Sequence, residues 1–170
     1  EPKLLIAKTF VAGGACAFVA LAMQIGLQHL GLSFDMSSSG GITGTLILTI
    51  VVFSLVEELA KFGAAYVTVH NDPAFDEPVD AMIYCIVAAL GFATIENIGA
   101  VQRDIGFMIP HSQTLGLILQ TLTLRFVGAT LLHTLSSGLI GYYWAREIRR
   151  FRGGGLVPVG ILLATGLHAI

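Results

Sequence analysis

Charge is what this sequence has least of. Of its 170 residues only 12% are charged, against 55% hydrophobic, and mean hydropathy is +0.81. So small a polar supply cannot cover a soluble domain, and the balance indicates a polytopic membrane protein. There is no basic excess either. Nine Lys and Arg stand against eleven Asp and Glu, for a net charge of −2, which excludes a nucleic-acid partner. Cysteine is scarce: Cys16 and Cys85 both fall in apolar runs without metal-ligand spacing, so they read as small packing residues. No internal repeat or low-complexity segment appears, and one domain over residues 1–170 is expected. The chain opens on Glu1 without an initiator methionine or a visible signal peptide, so its N-terminus reads as an imposed boundary.

Long apolar runs, by contrast, are plentiful. They predict an all-α, polytopic transmembrane helix bundle of about five spans. The spans run roughly from Thr9 to Leu30, Thr45 to Val69, Val79 to Val101, Gln113 to Trp144, and from Leu156 onward. Leu156 to Ile170 would make only ~22 Å of helix against a ~30 Å hydrocarbon core, so the last span is expected to be truncated. Between the first two lies a polar Ser/Gly loop, Gly31 to Gly44, and a turn at His70-Asn71-Asp72-Pro73 closes the second. Lys3 and Lys8 share one predicted side with Arg146, Arg149, Arg150 and Arg152, while Arg103 stands alone on the other. The positive-inside rule makes this a multi-pass cell-membrane protein whose N-terminus and Arg146–Arg152 loop are cytoplasmic.

The second span carries Ser54-Leu55-Val56-Glu57-Glu58-Leu59-Ala60-Lys61-Phe62 where hydrocarbon is expected. Each ionisable group at that depth costs ~2.5–3.5 kcal/mol on insertion scales. Lys61 can reach either carboxylate, while Glu57 and Glu58 diverge by about 100° around the helix. The bland reading is a self-neutralised ion pair that locks helix packing. Glu96, Asn97, Arg125, His133 and His168 extend the set to other spans. Each has its own bland reading, with Glu96 neutralising Arg125 and each His a packing residue. Together they describe a group that shares protons, binds a cation or activates water. Arg125, Ala129, His133 and Ser137 form one stripe on the fourth span, and Glu57, Glu58, Glu96, His133 and His168 are expected to converge in one polar cavity.

The order Glu57-Glu58-x-x-Lys61, Phe75-Asp76-Glu77-Pro78-Val79-Asp80, Gly91-Phe92-Ala93-Thr94-Ile95-Glu96-Asn97, Arg125 with His133, then His168 resembles the PrsW family of intramembrane proteases. That family is in turn similar to CAAX-processing enzymes. The wider superfamily usually has a His where Glu96 stands, and Glu followed by Asn resembles PrsW specifically. The resemblance covers about Leu55 to His168. It implies a peptidase, of glutamic or metal-dependent type, acting on membrane-anchored substrates such as anti-sigma factors.

Hydrolysis of an amide needs water, a base and groups that hold the oxyanion. Glu57 or Glu58 is the base in this reading, with His133 and His168 positioning water or polarising the carbonyl. Lys61 and Arg125 orient the carboxylates, and Asn97 donates to the oxyanion. If a metal is bound, Glu58, His133 and His168 supply the three ligands of a catalytic Zn²⁺ site. The competing readings are a proton- or ion-coupled transport module, disfavoured by the lack of a repeat, and a non-catalytic scaffold. A membrane-embedded substrate must unwind and enter sideways. The small residues Gly128, Ala129, Ser136, Ser137 and Gly138 of the fourth span are expected to line that opening.

Overall fold

The computed structural model describes residues 1–32, 44–108, 115–149 and 155–170. They form five helices and, among the described residues, no strand. These are α1 Lys3–His29, α2 Gly44–Val69, α3 Asp80–Met108, α4 Leu115–Arg149 and α5 Leu156–His168. The all-α bundle is as expected. Three stretches are by themselves long and apolar enough to cross a membrane: Lys3–His29, Asp80–Arg103 and Leu115–Arg149. The other two helices fall short for different reasons. α2 has the length but holds Glu57, Glu58 and Lys61 in its interior, and α5 has only 13 residues. The polar loop at 33–43, Gln113, and Arg150 and Arg152 lie outside the described residues.

Helix ends differ from the expected spans where local chemistry extends them. α1 begins at Lys3 because Pro2 cannot donate a hydrogen bond but its carbonyl accepts from the Leu5 and Ile6 amides at 3.0 and 3.1 Å. The acidic motif before α3 is an entry turn. The Asp80 carboxylate is buried and accepts from the Asp76 and Glu77 amides at 3.1 and 2.9 Å. Phe75 packs on Trp144, with ring centroids 5.0 Å apart, beside a core of Leu5, Ala65, Val69, Tyr84 and Cys85. Glu147 near the end of α4 accepts from the Leu156 and Val157 amides at 2.9 and 3.0 Å. That carboxylate satisfies two of the orphan donors at the start of α5 and complements its dipole.

Helices approach closely where glycine permits it. A Cβ on Gly13 would lie 2.0 Å from the Ala88 carbonyl oxygen, and one on Gly91 would lie 2.0 Å from that of Phe10. The α1 and α3 backbones are therefore in direct contact. Gly141 meets the backbone of Ala81 and Met82, Gly138 meets Ile86, and Gly160 meets Tyr143. Through its second half α4 thus packs on both α3 and α5. Its first half, Leu115 to about Leu131, is largely exposed.

Candidate active site

On α2 the two adjacent glutamates point in different directions and meet different chemistry. Glu58 is fully buried. Its Oε1 accepts from Lys61 Nζ at 2.6 Å, His168 Nδ1 at 2.7 Å and Ser136 Oγ at 2.8 Å, while Oε2 accepts from Ser137 Oγ at 3.3 Å. Four donors from α2, α4 and α5 therefore meet one carboxylate, which answers the desolvation cost of burying it. Lys61, also buried, reaches His133 Nδ1 at 3.0 Å. An ammonium only donates, so Nδ1 accepts, and the neutral ring carries its proton on Nε2. That N–H donates to Glu96 Oε2 at 2.5 Å.

Glu57 stands apart from this network. Its Oε1 accepts from Gln24 Nε2 of α1 at 2.9 Å. Its Oε2 is buried and has no hydrogen bond, although His168 Nε2 is 3.4 Å away. That spacing is within ion-pair reach but too long for a well-formed hydrogen bond. In the neutral tautomer whose proton sits on Nδ1 and goes to Glu58, Nε2 presents a lone pair. Two acceptors therefore face one another across 3.4 Å, an arrangement that suits the hydrogens of a water molecule or a cation. The His133 and His168 rings meet edge to face, 4.9 Å between centroids. Phe92 closes the apolar side, 5.3 Å from the His133 ring and 5.1 Å from Lys61 Nζ.

A cavity of about 520 Å³ opens beside this centre, its polar lining including Gln24, Glu57, Glu96, Arg103, Arg125 and His168. A smaller one of about 190 Å³ between α1 and α3 also touches Gln24, Glu57, Glu96 and Arg103.

Glu57, Glu58, Glu96, Lys61, His133 and His168 thus come together from α2, α3, α4 and α5, and Arg125 faces the same cavity. Asn97 does not join them. It is buried and donates to Thr130 Oγ1 at 3.1 Å, tying α3 to α4, so it is not placed to receive an oxyanion. The partner of Glu96 is His133, and the opening expected along α4 also differs. Ser136 and Ser137 are buried and bound to Glu58, and Gly138 is in van der Waals contact with Ile86. Gly128 faces open space and Ala129 is half-buried. Gln24 was missed altogether. Its signal was an amide in the first apolar run, with Gln28 one turn further on.

The carboxylate that groups with the two imidazoles is Glu57, not Glu58. Glu57, His133 and His168 each offer a ligand atom, all within 4.8 Å of one another, whereas the oxygens of Glu58 are taken up by four donors. Two of the three fit a metal. Glu57 Oε2 is an orphaned acceptor, and His168 has a free Nε2 with Nδ1–H on a carboxylate, as metal-binding histidines commonly do. His133 does not fit as it stands. Its Nδ1 faces an ammonium, so its Nε2 carries a proton and has no lone pair to give.

Comparison with known proteins gives a concordant result. A family model described as "PrsW family intramembrane metalloprotease" matches residues 1–170. The chain is 30% identical over 143 residues to "Protease PrsW" of Clostridioides difficile (strain 630), covering 84% of this chain and 54% of that protein. It is 29% identical over 98 residues to "Protease PrsW" of Geobacillus kaustophilus (strain HTA426), covering 58% and 40%. With "Protease PrsW" of Bacillus subtilis (strain 168) the identity is 28% over 98 residues, covering 58% and 41%. The chain therefore spans about half or less of the length of these curated relatives. No solved structure matches it.

Proposed function

The chain belongs to the PrsW family of intramembrane metalloproteases, and from that premise we propose that it hydrolyses peptide bonds in membrane-anchored proteins with water activated by Glu57. The observation that carries this reading is the unbonded, buried Oε2 of Glu57 opposite His168 Nε2. A water that donates one hydrogen to each turns an oxygen lone pair toward the cavity, where a peptide carbonyl would lie. Glu57 takes a proton as the water oxygen bonds to the carbonyl carbon. The same proton passes to the leaving nitrogen as the C–N bond breaks.

The other groups act through these two. Glu58 fixes the His168 tautomer by accepting from Nδ1, much as a buried carboxylate orients a catalytic imidazole elsewhere. Lys61 compensates the charge of Glu58 and holds His133. We assign the His133 Nε2–H, displaced from Glu96 by substrate, to the oxyanion. Substrates resembling anti-sigma factors follow from the family resemblance. Lys3, Lys8, Arg146 and Arg149 fall at the end of the bundle where Leu5 meets Trp144, and we place that end in the cytoplasm.

A second reading is favoured by the grouping of Glu57, His133 and His168. It requires Lys61 to leave His133 Nδ1, and a Zn²⁺ so held would polarise the carbonyl and acidify water. The test is cleavage of a tagged single-pass substrate by the purified chain. Glu57→Gln should abolish the cut, and no cut by the unaltered chain would favour the scaffold or transport readings. Metal analysis with a chelator arm separates the mechanisms. Activity that persists without bound metal supports water activation by Glu57 alone, and one Zn²⁺ per chain with chelator-sensitive cleavage supports the metal reading.

A further inference from the structure

Two guanidiniums line the large cavity besides the polar centre, and helix packing fixes their level in the bundle. α3 and α4 run antiparallel. Met82 lies against Gly141 and Ile86 against Gly138, and further along Glu96 meets His133 and Asn97 meets Thr130. Continued past Asn97, that register brings Arg103 of α3 level with Arg125 of α4. Both side chains are exposed and border the same cavity as Glu57, Glu96 and His168. Arg103 follows Glu96 by seven residues and Arg125 precedes His133 by eight. Each is therefore about 10–12 Å along the helix axis from the centre, on the same side of it.

An extended chain at about 3.3 Å per residue crosses that distance in three or four residues. An extended strand that lies across Glu57 and His168 and runs along α3 and α4 would reach the level of the two arginines. Resting on the reading that this site cleaves peptide bonds, we propose that it selects substrates carrying an aspartate or glutamate three or four residues to one side of the scissile bond, held by Arg103 and Arg125. A guanidinium pairs with a carboxylate through parallel N–H···O bonds.

The experiment uses the full chain in phosphatidylcholine vesicles and single-pass peptides carrying Asp or Asn at the third and fourth positions on each side of the cut. Asp on one flank should raise kcat/KM about 10- to 100-fold over Asn, the range of a charge-assisted pair. Arg103→Gln and Arg125→Gln should each bring that ratio toward one, and a joint Arg103→Glu, Arg125→Glu variant should reverse it in favour of Lys. An equal loss on Asp and Asn peptides would mean that the arginines only brace the site, and would overturn the proposal. So would a rate set by the anionic-lipid fraction with no preference between peptides, which would give the arginines to a lipid phosphate. Binding to a Glu57→Gln chain, read by fluorescence anisotropy with Asp moved along a neutral single-pass peptide, separates selection from proteolysis. The best-placed Asp should bind at least about tenfold tighter than Asn there. Equal binding at every position overturns the proposal, whereas a retained preference without cleavage by the unaltered chain overturns the protease reading alone.

Discussion

The neighbouring glutamates should respond in opposite ways to one and the same substitution. In Glu58→Gln an amide nitrogen replaces an oxygen in a pocket that already holds four donors. With the nitrogen at the Oε2 position Ser137 can turn its hydroxyl to accept, but the buried Lys61 loses its compensating charge. Removing one partner of a buried ion pair costs ~3–5 kcal/mol. For a domain of this size that is a fall in Tm of about 6–20 °C. In Glu57→Gln the retained oxygen can still accept from Gln24, and the exchanged atom had no hydrogen bond to lose. Its Tm should change by no more than about 3 °C, while turnover falls by ~10²–10⁴-fold if the base is gone. The assay pairs thermal unfolding in detergent with cleavage per folded molecule. A Glu58→Gln chain as stable as the parent would refute the four-donor account of Glu58. A Glu57→Gln chain that cleaves normally would refute Glu57 as the base.

Three further outcomes follow from the packing. Glu147→Ala removes the acceptor for two α5 amides and should cost ~0.5–2 kcal/mol; because α5 delivers His168, cleavage should fall several-fold, with Glu147→Gln in between. Gly91→Ala puts a Cβ against the Phe10 carbonyl, so Tm should drop by several degrees, whereas Gly63→Ala, which meets nothing within 4 Å, should raise it slightly. Ser137→Leu should lower stability and impair long and short substrates alike, since it strikes Glu58, while Gly128→Leu should leave the melting curve unchanged.

Much of this arrangement was legible in the sequence, because a charged group in an apolar run has few places to go. The Glu57–Glu58 pair, Glu96, His133 and His168 each break a hydrophobic pattern, and their meeting follows from the cost of leaving any of them in lipid. What the sequence left open is rotation about the helix axis. Which glutamate turns to the interior depends on how α4 and α5 dock, and that is set by contacts such as Gly160 on Tyr143. Ser136 and Ser137 read as small spacers because their hydroxyls show no preference until a carboxylate lies opposite. Asn97 is adjacent to Glu96, yet the step of about 100° between them carries it to Thr130 instead of the cavity. The signal of Gln24 was too weak to use because an amide in a long apolar helix, with Gln28 one turn on, does not reveal which side will be covered.

The direct contact of α1 with α3 has a mechanical meaning for the centre it helps to build. The contact is clamped at Gly13 and Gly14, and Gln24 lies ten residues further along the same helix, about 15 Å from the clamp. α1 is thus a lever pivoted near its middle, with the amide that steadies Glu57 toward the tip of one arm. A tilt of only about 4° at the pivot moves that tip by ~1 Å, enough to break a hydrogen bond of 2.9 Å. The tolerance of the centre is therefore set partly at a point with no polar group at all. Anything that changes the lateral pressure on α1, such as bilayer thickness or a neighbouring helix, would be felt at Glu57 as a change in which of its oxygens is held.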